Sequence, residues 1–284
     1  MQYHLGFVAV YSFLVALATF LAYEFILISY DGHNLYLIWI HIINYKILCI
    51  LSKLTLSPPS HEVSVRAFFL GYTFGSGILI YVLMAESWRT FGIYAAVLST
   101  FHLTEYLAIA FTNPAVLSVD SFVLNHSTAY TLAAVSSWVE FLIERFFFPQ
   151  MKESLVVPLI GIAFCVLGDL LRKAAILTAK RNFNHIVQDE KASDHELVTH
   201  GVYSICRHPS YVGWFYWSVG TQLILQNPVC LILYTIVSWK FFHERIFIEE
   251  ISLLRFFGTS YMKYQDRVGT GLPFISGCRN FRVD

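Results

Sequence analysis

Long apolar runs recur along almost the whole chain, and they restrict the folds that are open to it. Windows of about 17 to 25 mostly apolar residues are long enough to cross a hydrocarbon core of about 30 Å. Eight windows approach this length, at roughly residues 5–29, 34–52, 65–85, 91–112, 122–148, 154–179, 209–225 and 228–247. Strands that cross a membrane alternate apolar and polar residues, whereas continuous runs favour helices that pair their own backbone groups. The sequence therefore predicts an all-α, polytopic membrane protein with about eight transmembrane helices.

Composition and charge support this class of protein. Hydrophobic residues make up 56% of the 284 positions and charged residues 13%, against about 45 to 50% and about 25% in soluble domains. The formal net charge is zero, so bulk charge gives no argument for a nucleic acid, and we expect none as a partner.

The distribution of basic residues predicts the orientation. Of the 19 Lys and Arg residues, Lys46 and Arg145 are assigned to the spans themselves and to neither side of the membrane. With the N-terminus in the cytosol, only Arg89 and Lys152 fall on the opposite side, and the remaining basic residues are cytosolic. The excess of basic residues on one side predicts that both termini are cytosolic.

The cysteines and the N-terminus exclude some alternatives. The first basic side chain is Lys46, so the first apolar run lacks the basic region of a cleavable signal peptide. The five cysteines have no close pair, a pattern that favours buried thiols over a disulfide framework or a metal site. His195, His200 and His208 lack the tight ligand spacing of zinc sites, and we expect no metal.

One loop and one hairpin stand apart from the other connections. Residues 180–207 form the only long polar connection between the windows, and a connection of this length in a compact fold is usually a binding element. Segment 209–247 is short for two spans and a loop, and Asn227-Pro228 marks a turn near its middle. We predict a C-terminal helical hairpin, followed by an amphipathic, cytosolic tail from residue 248 whose segments 256–258 and 271–274 either lie on the surface or cap the fold.

Polar residues at the two ends of this hairpin are candidates for chemistry. Pro209 suits the first turn of a helix, so His208 and Tyr211 would stand at a helix mouth. Arg245 and Glu249 are four residues apart and share a helix face. A plain helical ion pair worth about 0.3 to 0.5 kcal/mol is one interpretation. Ionisable groups at the end of an apolar segment are costly, which favours a functional site.

The same residues form a pattern that resembles a known family. The motifs are Asn184-His185-x-x-Gln188, His195-Glu196-Leu197-Val198-x-x-Gly201-x-Tyr203, Arg207-His208-Pro209-x-Tyr211-x-Gly213 and Arg245-x-x-x-Glu249-Glu250. Together they resemble the isoprenylcysteine carboxyl methyltransferases. Phospholipid methyltransferases share the His-Pro-x-Tyr and Glu-Glu elements, and membrane sterol reductases are similar near their C-terminus. The stretch 182–185 with Arg172-Lys173 upstream narrows the resemblance to the first family.

The resemblance implies a reaction, a site and a location. S-adenosyl-L-methionine would be the methyl donor, bound in a cytosol-facing pocket of the endoplasmic reticulum membrane. The acceptor would be the prenylated C-terminal cysteine of processed CaaX proteins such as Ras-like and Rho-like GTPases and lamins, reached from the membrane lipid. Matching positions for the cofactor are Gln188, His195, Glu196, Leu197, Val198, Tyr203, His208, Pro209, Ser210, Tyr211 and Glu249. Arg245 matches the substrate position, where we expect it to be catalytic.

Residues 1–171 would form a helical bundle and residues 172–284 an integrated catalytic region.

Three other classes of protein stay open at this stage. A phospholipid N-methyltransferase uses an amine acceptor and gains nothing obvious from Arg245. A sterol reductase would use a nicotinamide cofactor, and a chain of 284 residues is short for it. A transporter would show paired interrupted helices in matching halves, and the sequence has no such symmetry.

Overall fold

The structure, a computed structural model, describes residues 3–28, 36–124, 127–193 and 195–278. In these ranges the chain forms α-helices joined by short 3-10 turns and loops, without a strand. The helices are α1 (Tyr3–Ile28), α2 (Tyr36–Thr55), α3 (Pro58–Leu83), α4 (Arg89–Thr112), α5 (Thr128–Phe147), α6 (Val156–Ala179), α7 (Pro209–Leu225), α8 (Pro228–Phe257) and α9 (Thr259–Arg267). The all-α prediction is confirmed, and α1 to α8 each overlap one of the eight apolar windows.

Membrane-crossing capacity is clearest in the N-terminal half. Among the residues that the structure describes, three segments are long and apolar enough to span a bilayer by length and composition, namely His4–Ile26, Pro58–Leu83 and Glu86–Thr112. The number of helices that cross the bilayer therefore stays a prediction.

The chain divides into two compact units, of which the first comprises Met1–Thr131 and Phe147–Glu153. Within this unit α3 packs against both α1 and α4. Glycines permit the close approach of these helices, because a Cβ atom on Gly71 would lie 2.6 Å from the carbonyl oxygen of Phe13 in α1. A Cβ atom on Gly77 would lie 2.6 Å from the carbonyl oxygen of Gly92 in α4. Small residues at such positions let helix backbones meet in membrane proteins.

The second unit comprises Leu132–Phe146 and Ser154–Asp284, and it contains all the candidate residues. The turn predicted at Asn227-Pro228 is confirmed: α7 ends at Leu225, Gln226 has a left-handed φ of 54°, and α8 begins at Pro228. The Glu140 carboxylate of α5 accepts hydrogen bonds from the backbone amides of Val229 (2.7 Å) and Cys230 (2.6 Å). These are amides that a helix start leaves without an intrahelical partner.

Two features of the C-terminal region go beyond the apolar windows. Helix α8 continues to Phe257, past the end of the last window at residue 247, and it carries both Arg245 and Glu249 as their spacing predicted. The segment after α9 does not lie on the surface throughout. Its Leu272 and Ile275 side chains are buried in a core cluster with residues of α7 and α8. The segment also pairs with the start of α7, because the carbonyl oxygens of residues 269 and 270 accept from the amides of residues 207 and 208.

Candidate active site

Two adjoining cavities lie between the long loop (residues 180–207) and the helices α7 and α8. The larger one encloses about 740 Å³ of empty space and the smaller one about 510 Å³, and both figures include space that is open to solvent. They adjoin because they share part of their lining, which includes Asn184, Tyr203, Tyr211 and Glu249.

All the residues matched to the cofactor line these cavities. Gln188, His195, Glu196, Leu197 and Val198 line the larger cavity. His208, Pro209 and Ser210 line the smaller one, and Tyr203, Tyr211 and Glu249 line both. The fold thus brings loop residues together with residues of α7 and α8 that are up to 61 positions away in sequence (249 minus 188).

Arg245, matched to the substrate, lies one helical turn before Glu249 on α8 and is partly buried. Its Nη2 donates a hydrogen bond to the carbonyl oxygen of His185 at 2.9 Å, and His185 lines the smaller cavity. Arg245 is not among the residues that line either cavity, and this hydrogen bond to His185 is its link to the smaller one. Glu249 faces His208 instead, with its Oε2 3.7 Å from His208 Nδ1.

The long loop is attached to the end of α8 by side-chain contacts. The ammonium group of Lys191 lies 4.5 Å from the centre of the Phe257 ring, a cation–π geometry. The His195 ring packs edge-on against Phe257 with ring centres 5.3 Å apart. Within the loop, the Glu196 amide donates to Asn182 Oδ1 at 2.9 Å. These contacts hold the wall of the larger cavity in place.

The start of α7 presents stacked rings to the smaller cavity. The His208 and Tyr211 rings are nearly parallel, with their centres 5.7 Å apart and an angle of 9° between planes. The buried Arg172 of α6 donates to Ser210 Oγ at 2.7 Å. Its guanidinium carbon lies 4.5 Å from the centre of the Trp214 ring. Arg172 was not predicted as a site residue and entered only through the family resemblance, yet it lines the smaller cavity.

Glu250 was assigned no role from the sequence. Its side chain is the most extensively hydrogen-bonded one of this region. Its buried carboxylate is surrounded by groups from three separate segments. Oε1 accepts from Arg207 Nε (2.7 Å) and the Tyr261 hydroxyl (3.1 Å) and lies 3.1 Å from His208 Nε2, while Oε2 accepts from Gln265 Nε2 (3.0 Å) and the Cys278 amide (2.7 Å). The Glu249-Glu250 pair was the sequence signal that could have shown this role. Successive helix residues face different directions, so only one of the two carboxylates can face the cavities.

The surroundings of Glu250 determine its ionisation. Burial raises the pKa of this carboxyl. The hydrogen bonds and charges of His208 and Arg207 lower it by a larger amount, and the resulting pKa is about 2. Glu250 is therefore a carboxylate at neutral pH. Burial raises the pKa of the Tyr261 and Tyr203 hydroxyls well above the ordinary value, so both stay protonated and can donate hydrogen bonds.

Glu249 differs from Glu250 because one of its carboxyl oxygens accepts no hydrogen bond in the described part of the chain. Its Oε2 is buried and has no hydrogen-bond partner among the residues that the structure describes. Leaving a buried carboxyl oxygen without a hydrogen bond costs free energy that a ligand donor would recover. Since Glu249 lines both cavities, this oxygen marks where a bound molecule would present an N–H or O–H group.

Comparisons with known proteins agree with this geometry. Residues 160–255 match the model of the isoprenylcysteine carboxyl methyltransferase family. The protein-S-isoprenylcysteine O-methyltransferase of Tribolium castaneum is 58% identical over 76% of this chain and 76% of its own length. The Homo sapiens protein of the same name is 52% identical over 78% of each chain. A solved structure of a eukaryotic intramembrane Ras methyltransferase superposes with a TM-score of 0.93 at 48% identity, covering 96% of this chain and 98% of that one.

These findings define the class of protein. The helical fold, the apolar segments and the relatives identify an integral membrane methyltransferase. More narrowly, the chain belongs to the isoprenylcysteine carboxyl methyltransferase family.

Proposed function

We propose that this protein transfers the methyl group of S-adenosylmethionine to the C-terminal α-carboxylate of a prenylated cysteine, forming a methyl ester. The observation that carries the proposal is the convergence of every residue matched to the cofactor on two adjoining cavities, with Arg245 bonded to His185 of the smaller one. The names of the relatives, protein-S-isoprenylcysteine O-methyltransferase, support the same reaction.

The lining of the cavities fits the proposed cofactor in chemistry. The larger one combines apolar walls at Leu197, Val198 and Phe256 with polar groups at Gln188 and Glu249. Glu249 Oε2 is free to accept from the hydroxyl or amino groups of an adenosyl moiety. When bound, S-adenosylmethionine supplies an electrophilic methyl group on a positively charged sulfur.

The acceptor needs orientation more than activation. An α-carboxylate has an ordinary pKa of about 3.3 to 3.7, so it is already a nucleophile at neutral pH. Arg245 supplies permanently charged donors that match one carboxylate oxygen, which leaves the other free to attack. Holding two reactants in line contributes roughly 7 to 11 kcal/mol towards lowering a barrier. Exclusion of water by the cavity walls favours a reaction in which opposite charges are neutralised.

The molecular setting of the reaction belongs to the same proposal. We assign residues 1–171 to a transmembrane bundle and residues 172–284 to the catalytic region, with eight spans in all. Both termini and the cofactor pocket face the cytosol, and the protein resides in the endoplasmic reticulum. Its substrates are processed CaaX proteins, among them Ras-like and Rho-like GTPases and lamins. The apolar windows and the distribution of basic residues support the spans and the orientation, whereas the location and the substrates rest on the family resemblance.

The nearest rival, a phospholipid N-methyltransferase, is not favoured. Such an enzyme acts on an amine, which Arg245 would repel, and the similar proteins carry the isoprenylcysteine name. A nicotinamide-dependent sterol reductase is not favoured either, because the relatives are methyltransferases.

The direct test incubates the purified protein in lipid nanodiscs with methyl-labelled S-adenosylmethionine and a farnesylated cysteine analogue. We expect label in a base-labile ester of the analogue. The matched control is the same analogue with its carboxylate converted to an amide, which should accept no label. Label on phosphatidylethanolamine in place of the analogue would refute the proposal in favour of its rival.

A further inference from the structure

Phe274 is exposed to an unusual degree for an aromatic side chain. It is 96% exposed, more than any other large apolar side chain in the described part of the chain. Its φ of 62° lies in the left-handed region, which is unfavourable for a residue with a side chain. A strained residue persists where its surroundings fix it, and such residues are often functional. The fold therefore holds Phe274 outward at an energetic cost.

The turn around Phe274 is firmly built. Leu272 and Ile275, on either side, are buried in the core cluster that includes Phe242 of α8. Between them, the carbonyl oxygen of Pro273 accepts a hydrogen bond from Trp239 Nε1 at 2.8 Å. Both flanks are fixed, so the aromatic ring cannot turn inward without loss of these contacts.

Helix α8 carries an exposed apolar face that leads to this turn. Its members are Val229, Ile232, Leu233, Ile236, Val237 and Phe241, each at least 42% exposed. Their spacing of three and four places them on one side of the helix. A continuous apolar face of this size marks an interaction surface, and in an integral membrane protein lipid is the partner that covers it.

The end of this apolar face has the composition of a membrane boundary. Lys240 is the first charged residue of α8 and is exposed. Trp239, which precedes it, is the residue that bonds to Pro273. Tryptophan and basic residues concentrate where hydrocarbon meets headgroups, so the bond to Trp239 sets Phe274 at that depth.

We propose that Phe274 inserts into the lipid at the boundary between headgroups and acyl chains, and that the turn 271–275 is a membrane-contact element of the catalytic region. The proposal rests on α8 facing lipid, which is part of the proposed topology, and is independent of the methyl acceptor. It explains why a strained, fully exposed phenylalanine stands beside the end of the apolar face.

Photo-crosslinking tests the proposal directly. Benzoylphenylalanine replaces Phe274 in the full chain, reconstituted in nanodiscs that contain alkyne-tagged phosphatidylcholine. Two matched positions serve as controls: Ile232, 61% exposed on the apolar face of α8, and Met262, 50% exposed on α9. We expect lipid adducts at 274 and 232 to exceed those at 262 several-fold.

Several outcomes would overturn the proposal. One is labelling at 274 no higher than at 262 while 232 is labelled. Another is an adduct with a second copy of the chain in place of lipid. Absence of labelling at 232 would show that this face of α8 does not contact lipid and would refute the proposal. Methyl transfer measured in the same discs tests the proposed function separately.

A second variant tests whether the Phe274 ring merely packs within the protein. Phe274→Gly relieves the left-handed strain but adds conformational freedom to the unfolded chain, so its melting temperature in detergent should be close to or slightly above that of the parent protein. A marked drop would show that the ring packs within the protein and would also refute the proposal.

Discussion

At the scale of single residues, two neighbouring carboxylates of α8 have different surroundings. Successive helix residues point about 100° apart, so Glu249 reaches the cavities while Glu250 turns into the protein. Glu249 retains an unpaired buried oxygen, whereas both oxygens of Glu250 are bonded. The same residue type therefore serves ligand binding at one position and assembly of the site at the next.

Replacement of Glu249 tests its proposed role in cofactor binding. Glu249→Ala should weaken S-adenosylmethionine binding about 10- to 100-fold, as expected for the loss of one or two hydrogen bonds to a charged group. Isothermal titration calorimetry in detergent measures this change. Glu244→Ala, an exposed position on the same helix, is the control and should bind normally. Unchanged affinity in Glu249→Ala would contradict the assignment.

Replacement of Arg245 separates turnover from cofactor binding. Arg245→Ala should reduce the methyl-transfer rate by about 100-fold or more, because a charged donor to the reacting group is lost. Cofactor affinity should change little. Arg245→Lys should recover only part of the rate, since an ammonium group lacks the planar donor fork. Normal turnover in Arg245→Ala would exclude Arg245 as the acceptor-binding residue.

Glu250 predicts a dependence of stability on pH. Its folded-state pKa of about 2 lies below the ordinary value of about 4.3. The stabilisation is therefore complete above about pH 4.3 and is lost as the pH falls towards 2, a difference on the order of 3 kcal/mol. Melting temperatures of the wild type should fall through this window, whereas Glu250→Gln should be less stable at neutral pH and respond less to acid. The exposed Glu190→Gln is the control and should follow the wild type.

At the scale of elements, hydropathy predicted the positions of the helices but not how far α8 extends beyond its apolar window. The charged run 243–250 was interpreted as the boundary of a span, yet the helix continues to Phe257. Its Glu250 is neutralised inside the protein by Arg207 and His208. Hydropathy measures affinity for lipid, and so it cannot recognise a helix whose charged residues are paired with distant segments.

The glycine of the Arg-His-Pro-x-Tyr-x-Gly motif has an explanation at this scale. Helices α6 and α7 meet backbone to backbone, since a Cβ atom on Gly168 would lie 2.6 Å from the carbonyl oxygen of Gly213. One on Gly213 would lie 2.8 Å from the backbone nitrogen of Arg172. This close contact sets Arg172 against Ser210.

Gly213→Ala should therefore force the two helices apart. We expect a loss of about 1 to 3 kcal/mol in stability, typical of overpacking, together with weaker cofactor binding. Thermal melting and calorimetry measure the two effects. Gly269→Ala is the matched control, because a Cβ atom there would have no atom within 4 Å. Equal melting temperatures for the two variants would refute the packing argument.

At the scale of the whole molecule, local sequence patterns predicted most of the helices, but not the assembly of the site. The cofactor residues were named through motif resemblance, and the fold then places them along the cavities. The role of Glu250 was missed because Arg207 lies 43 positions away. The C-terminal segment was missed for the same reason, since Arg207 bonds to the Ser276 carbonyl 69 positions away. Hydropathy and helix periodicity carry no information at such separations.

The proposed orientation makes a prediction for the entire chain. The basic residues place residues 89 and 152 on the lumenal side and the long loop in the cytosol. A glycosylation acceptor carried on a flexible linker, inserted after Glu153, should be modified when the protein is made in microsomes. The same insert after Ser193 in the long loop, or at either terminus, should stay unmodified. Both internal sites are exposed, so accessibility alone cannot produce the difference. Modification after Ser193 and none after Glu153 would invert the orientation and place the cofactor cavities on the wrong side of the membrane for a cytosolic methyl donor.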